Sequence, residues 1–262
     1  MLSILLVFAL GAEPAAIEAR RQGYLEQICE MLPHSPPWED WLDRANELPP
    51  DFARLPSRAP LPSPLAYTED GARKRITTAA EWPEQRQRLL AQFKRYILGT
   101  VPPAPDNLEV QTLRDRVEYG ARVREVELRF GPGREARLRT EVFIPEGEGP
   151  FPVFLTQDNH RGWALIALRR GYLCCVYAGA DSRDDTASFI EPYAEYDWSK
   201  LVRRAWAAGR VIDYLEGVPQ ADTGRVALTG HSRNGKTSLM ASALDERIGA
   251  VISSSSGVGG CM

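Results

Sequence analysis

The chain is predicted to be an α/β protein, with helices on both faces of a mostly parallel sheet and an antiparallel hairpin ahead of it. Three observations carry that expectation. Four short apolar runs, 151–155, 172–177, 225–229 and 250–253, have the unbroken character of strands buried on both faces. Helix-periodic segments at 163–170, 198–215 and 233–244 separate them, which gives a βαβ alternation. Before them, 123–130 and 136–144 alternate apolar and polar residues around Gly131-Pro132-Gly133, as a half-buried hairpin does.

The elements follow in chain order. Leu2 to Leu10 is a nine-residue run broken only by Ser3, with small residues at Ala9 and Gly11, so residues 1–12 read as a signal peptide directing the protein to a secreted or periplasmic location. The run is too short to cross a bilayer, and no Lys or Arg precedes it. Residues 16–32 read as a helix. Nine of the twenty prolines then fall between Pro33 and Pro64, so 13–66 is expected to be a helix followed by an extended arm, because proline removes backbone donors and fixes φ. A helix over 82–97 is stopped by Gly99 and by Val101-Pro102-Pro103. The remainder, 67–262, forms the α/β domain. In its longest helix Leu201, Ala205, Ala208, Ile212 and Leu215 recur every three or four residues and mark the face packed on the sheet.

Composition excludes several classes. With 44% hydrophobic and 26% charged residues, the 262-residue chain is neither disordered nor a multi-span membrane protein. A net charge of −3 provides no field for nucleic acid or an anionic membrane, so a small or neutral molecule is the expected partner. Cys29, Cys174, Cys175 and Cys261 lack metal-ligand spacing, and only His34, His160 and His231 could assist them, so no metal site and no cofactor are expected. Cys174 and Cys175 should point to opposite faces of one strand, as small buried hydrophobes.

Chemistry concentrates where the strand 225–229 runs into Gly230-His231-Ser232-Arg233-Asn234-Gly235-Lys236-Thr237 and then a helix. A serine at the apex of a strand-to-helix turn holds its hydroxyl above the sheet edge, which is a nucleophile elbow. Asn234 stands where the general G-x-S-x-G pattern has glycine. The same residues satisfy G-x-x-x-x-G-K-[ST], so a phosphate-binding P-loop is a rival, although no later strand ends in the Asp that would hold magnesium. Arg233 and Lys236 fall in the first helical turn, where the dipole disfavours cations by about 0.3–1 kcal/mol each. An anion, either a phosphate or the oxyanion of a serine-attacked ester, would offset that.

Gly230-His231-Ser232-Arg233-Asn234-Gly235-Lys236 resembles the G-x-S-R-x-G-K signature of glucuronoyl esterases, which places the glycine three positions after the serine. Asp245-Glu246-Arg247, Val251-Ile252-Ser253, Gly257-Val258-Gly259-Gly260 and, less specifically, Asn159-His160 and 206–214 extend the similarity over about 80–262. The resemblance implies an α/β-hydrolase three-layer sandwich and hydrolysis of the ester between xylan glucuronic acid and a lignin alcohol. It implies Ser232 as nucleophile, Arg233 as oxyanion stabiliser and Lys236 as a ligand for sugar hydroxyls; His160 is a weaker candidate for the substrate wall. In that fold the acid and histidine follow the serine, yet the 30 residues after Ser232 contain Asp245 and Glu246 and no histidine. The chain is therefore expected to lack its last strands, to be inactive alone, and to aggregate through an exposed sheet edge. His231 is expected to pack beside the elbow, and Asp181, Asp184 and Asp185 to be solvated in a loop. The alternatives are an acetyl-xylan-type esterase on the same elbow, the P-loop protein, and a carbohydrate-binding pseudoenzyme.

Overall fold

The computed structural model describes residues 14–56 and 62–257. The expected signal peptide, Cys261 and the glycines at 259 and 260 lie outside them. The chain divides into two units, 1–63 and 64–262.

In the first unit, α1 spans Pro14–Met31 and α2 spans Pro36–Ala45. The second helix corrects the expectation of an extended arm. Pro36 and Pro37 occupy its first turn, where a missing N–H costs nothing, and Asn46 ends it in the left-handed region at φ 46°. Arg20 pairs with Asp51 at 2.7 Å, and Arg21 donates to the carbonyls of Leu48 and Pro49, tying α1 to the chain that follows α2.

The second unit opens with a small hairpin, β1 (Ala66–Glu69) and β2 (Ala72–Arg75), whose turn holds Asp70 and Gly71 at φ 50° and 77°. Helix α3 (Trp82–Phe93) continues through a wider turn to Leu98 and stops at Gly99, at φ 78°. The periodic segments downstream then become one seven-stranded sheet. Its strands are β3 (Glu109–Glu118), β4 (Ala121–Phe130), β5 (Ala136–Pro145), β6 (Phe151–Gln157), β7 (Leu173–Tyr177), β8 (Ala221–His231) and β9 (Ile248–Ser254). The spatial order is β3-β4-β5-β7-β6-β8-β9. The first four run antiparallel to their neighbours; β7, β6, β8 and β9 run parallel.

Helices cover both faces. Helix α4 (Arg161–Leu168) buries Ala164, Ala167 and Leu168 against Val123, Phe143, Cys174 and Val176. Helix α5 (Lys200–Leu215), with α6 (Arg233–Leu244) beside it, packs Val202, Ala205, Ala208 and Ile212 on the opposite face. Cys174 and Cys175 belong to these two different clusters, as their adjacency on one strand requires. Both are free, and burial pushes the Cys174 thiol up to about 12. This is the α/β-hydrolase arrangement. No helix among the described residues is long and apolar enough to cross a membrane.

Candidate active site

The chain enters the parallel part of the sheet at β6, steps to β7 on the side of β5, and returns on the other side of β6 as β8. Such a reversal opens a crevice at the carboxyl ends of the strands, and the loops after β6, β7, β8 and β9 meet there.

Ser232 occupies the tip of the turn between β8 and α6, at φ 56° and ψ −125°. A non-glycine residue in that region is strained, at a cost of about 1–3 kcal/mol. The turn persists because its flanks admit nothing larger. A Cβ on Gly230 would lie 2.4 Å from the Asn234 carbonyl oxygen, and one on Gly235 would lie 2.7 Å from that of Ser254. The glycine at the third position after the serine is thus demanded by the close approach of β9 to α6. Two backbone bonds lock the tip: Ser232 N–H to Ser254 O at 2.8 Å, and Lys236 N–H to Ser232 O at 3.1 Å. The hydroxyl stays exposed, and the first N–H groups of α6 have no partner within the helix. They can receive an oxyanion formed on a carbonyl attacked by Ser232.

The P-loop alternative does not fit this backbone. Helix α6 begins at Arg233, two residues before Gly235, and Gly235 is packed inside it against β9. No open loop remains between the two glycines to wrap a phosphate.

His160, in the turn after β6, contacts the elbow backbone. Its Nε2 accepts the His231 backbone N–H at 3.1 Å, and its ring meets Trp163 edge-on at 4.4 Å. The Nε2 lone pair must be free for this bond, so the imidazole is neutral with its proton on Nδ1. Burial pushes its pKa down, and the neighbouring His231 adds to the shift. His231 is exposed, and its Nδ1 lies 3.1 Å from the Ser254 hydroxyl. Among the described residues no imidazole nitrogen hydrogen-bonds the Ser232 hydroxyl. Asn234 is buried with its amide donating to Asn159 at 2.9 Å, which joins the elbow helix to the β6 turn.

Arg233 is exposed and pairs with Asp181, in the loop after β7. That carboxylate supplies the anion that a cation in the first turn of α6 calls for. Asp181 and Asp184 are therefore not simply solvated: both bind Arg204, whose side chain is only 1% exposed. The Asp181 carboxyl is held below its ordinary range by the Arg204 bond. Asp185 accepts the Arg139 N–H at 2.9 Å, and burial raises its pKa. Lys236 lines, without Ser232, an apolar groove of about 400 Å³ between α3 and α6, with Trp82, Leu89, Phe93 and Met240.

Residues 130–262 match the family described as glucuronyl esterase, fungi, which is half of the chain. The chain belongs to the glucuronyl esterase family. Within it, this member is 28% identical over 219 residues to a 4-O-methyl-glucuronoyl methylesterase of Schizophyllum commune, covering 78% of this chain and 51% of that protein. It is 27% identical over 217 residues to the Cerrena unicolor protein of the same name, covering 78% and 44%. The family member thus spans about half the length of the curated relatives it matches. Among solved structures, a glucuronoyl esterase from Solibacter usitatus superposes with a TM-score of 0.64 at 25% identity, over 79% of this chain and 66% of that one. One from Sporotrichum thermophile, in complex with methyl 4-O-methyl-β-D-glucopyranuronate, superposes with a TM-score of 0.54 at 23% identity, over 76% and 53%.

Sequence reasoning on this glucuronyl esterase family member missed Arg204 and Ser254, and it named Asn159 only within the resemblance and Asp181 only as a solvated loop carboxylate. No local pattern flags them. The extra signal available was the buried cation: Arg204 falls at a core-facing step of the α5 periodicity, which demands a carboxylate partner from elsewhere in the fold.

Proposed function

We propose that the chain carries the nucleophile half of a serine esterase that cleaves glucuronoyl esters, the linkage between a glucuronic acid of xylan and an alcohol of lignin. The observation that carries the reading is Ser232, exposed and strained at a turn that two glycines and two backbone bonds enforce. Strain of this kind has no packing benefit, and it lifts a hydroxyl toward the crevice beside unpaired helix N–H groups. Ser232 is the nucleophile, Arg233 adds positive charge for the oxyanion, and Lys236, one turn on, addresses sugar hydroxyls.

Membership of the family and the names of the curated relatives support the substrate class. His160 serves this chemistry as a support for the elbow rather than as part of the substrate wall, because its Nε2 is engaged by the His231 N–H. The apolar run Leu2–Leu10 supports export, which suits an enzyme acting on insoluble cell-wall polysaccharide.

The test uses methyl 4-O-methyl-glucuronate as probe. The full-length protein, taken as the parent, is expected to bind it saturably and release methanol, and its Ser232→Ala variant to keep binding while losing turnover. Turnover that survives Ser232→Ala sinks the assignment. Preference for acetylated xylan over the glucuronate ester transfers the site to an acetyl-xylan-type esterase, and binding with no turnover in the parent favours the pseudoenzyme.

A further inference from the structure

Arg233 follows Ser232 directly, and its guanidinium is held by a side chain outside the elbow. Its Nη2 pairs with Oδ2 of Asp181, and the other oxygen of that carboxylate accepts from Arg204 Nη1 at 2.9 Å. Arg204 lies on α5 with only 1% of its side chain exposed, and Asp184 takes its Nε at 3.1 Å and its Nη2 at 2.9 Å. The loop around Asp181 closes on itself through Ala180 N–H to Arg183 O and Asp185 N–H to Ala178 O. Asp181 is thus anchored on its buried side and offers one oxygen toward the elbow.

Without such an anchor a long, exposed arginine in the first turn of a helix samples many rotamers, and the helix dipole turns it toward solvent. A guanidinium carries five N–H donors, so one carboxylate contact leaves capacity for a second anion. Arg204 already shares the charge of Asp181, so the contact fixes Arg233 without fully cancelling it.

We propose that Asp181 is a positioning residue for the esterase chemistry: anchored by Arg204, it fixes the Arg233 guanidinium beside Ser232 before charge develops on the substrate carbonyl oxygen. The proposal rests on the reading of Ser232 and Arg233 as ester-cleaving groups. Preorganised charge acts without reorganising during the reaction, so its loss falls on the chemical step and not on ground-state binding.

The experiment compares the parent with Asp181→Asn and Asp181→Glu by two readouts. One is the side-chain ¹⁵N–¹H spectrum of the arginines, with the Arg233 signal assigned by Arg233→Lys. The other is hydrolysis of methyl 4-O-methyl-glucuronate. The Arg233 Nη–Hη signals are expected to be protected in the parent, lost in Asp181→Asn and regained in Asp181→Glu. The kcat is expected to fall about 10- to 100-fold in Asp181→Asn with KM nearly unchanged, and to recover in part with Asp181→Glu. An Arg233 signal indifferent to Asp181→Asn overturns the proposal, as does an unchanged or raised kcat, or a loss confined to KM. Absence of Ser232-dependent turnover in the parent overturns the ester reading instead, and the arginine signal alone then decides whether Asp181 holds Arg233.

Discussion

Two networks of arginine and carboxylate lie at different ends of the sheet, and they are built differently. At the antiparallel end, Arg116 of β3 and Arg161 at the start of α4 share Glu118 and Glu141, and the Arg161 guanidinium lies 4.9 Å over the Phe143 ring. Every charge there faces an opposite charge on a neighbouring element, so the network is closed. At the parallel end, Arg204 and Asp181 are equally well matched, but the chain of contacts runs on to Arg233, which is exposed beside Ser232. The closed network joins strands to a helix; the open one ends on an exposed arginine that follows Ser232 in the chain. Counting ion pairs would not tell them apart, whereas following each to its last member does.

Substitutions can break or sharpen that contrast. The largest effect is expected at the turn that the open network serves. Gly230→Ala drives a Cβ into the Asn234 carbonyl, which belongs to backbone and cannot swing aside. A loss of about 3 kcal/mol or more in urea unfolding is expected. A stable variant with parent-like Tm would show that the elbow is less tightly packed than described.

Next comes the closed network. Glu141→Gln leaves Arg116 and Arg161 short of a half-buried partner, at a cost of about 1–2 kcal/mol in chemical denaturation. It is expected to leave Ser232 chemistry untouched, the reverse of Asp181→Asn. If Glu141→Gln lowers kcat as Asp181→Asn does, the distinction between the two networks fails.

A smaller effect of opposite sign is expected at Ser232 itself. Ser232→Gly removes the penalty at φ 56° and should stabilise the fold by about 1 kcal/mol while abolishing turnover. Calorimetry with no gain in Tm would show that the residue is not strained.

The smallest is a pH effect through His160. Its folded pKa lies below the ordinary 6.5, so the folded state disfavours the proton that the unfolded chain accepts. The stabilising bond to the His231 N–H is therefore present above that ordinary value and is lost as pH falls through the lowered one. His160→Gln, which keeps an acceptor without titrating, is expected to flatten the stability profile below about pH 6 by about 0.5–1 kcal/mol. A parent-like acid slope in that variant would place the titration elsewhere.

Much of the fold was legible because its elements repeat simple periods. The runs at 151–155, 172–177 and 225–229 became β6, β7 and β8, and the hairpin of β4 and β5 followed from alternation around Gly131. Other elements carried weaker signals. Strand β3 was missed because it is an edge strand with Val110, Leu113 and Val117 exposed, so no face of it shows a clean apolar alternation. The β1 and β2 hairpin was missed although Asp70-Gly71 is a strong turn signal, because its strands are only four residues each. Helix α2 was hidden by the very prolines that start it. At the site, Ser232, Arg233 and Lys236 could be singled out together because one turn of chain carries all three. His160 was named without its role, since nothing local says that its partner is a backbone N–H 71 residues away.

What the amino-acid order determined by itself was the part governed by neighbours along the chain: apolar periods that choose strand or helix, and glycines spaced to admit a serine at positive φ. Only the tertiary structure decided which charges meet. Asp181 and Arg233 are 52 residues apart and come together because two parallel strands end at the same edge, with a buried arginine from α5 holding the Asp181 loop. Electrostatic partnership depends on distance through space and on burial, and neither is written in any local stretch of sequence.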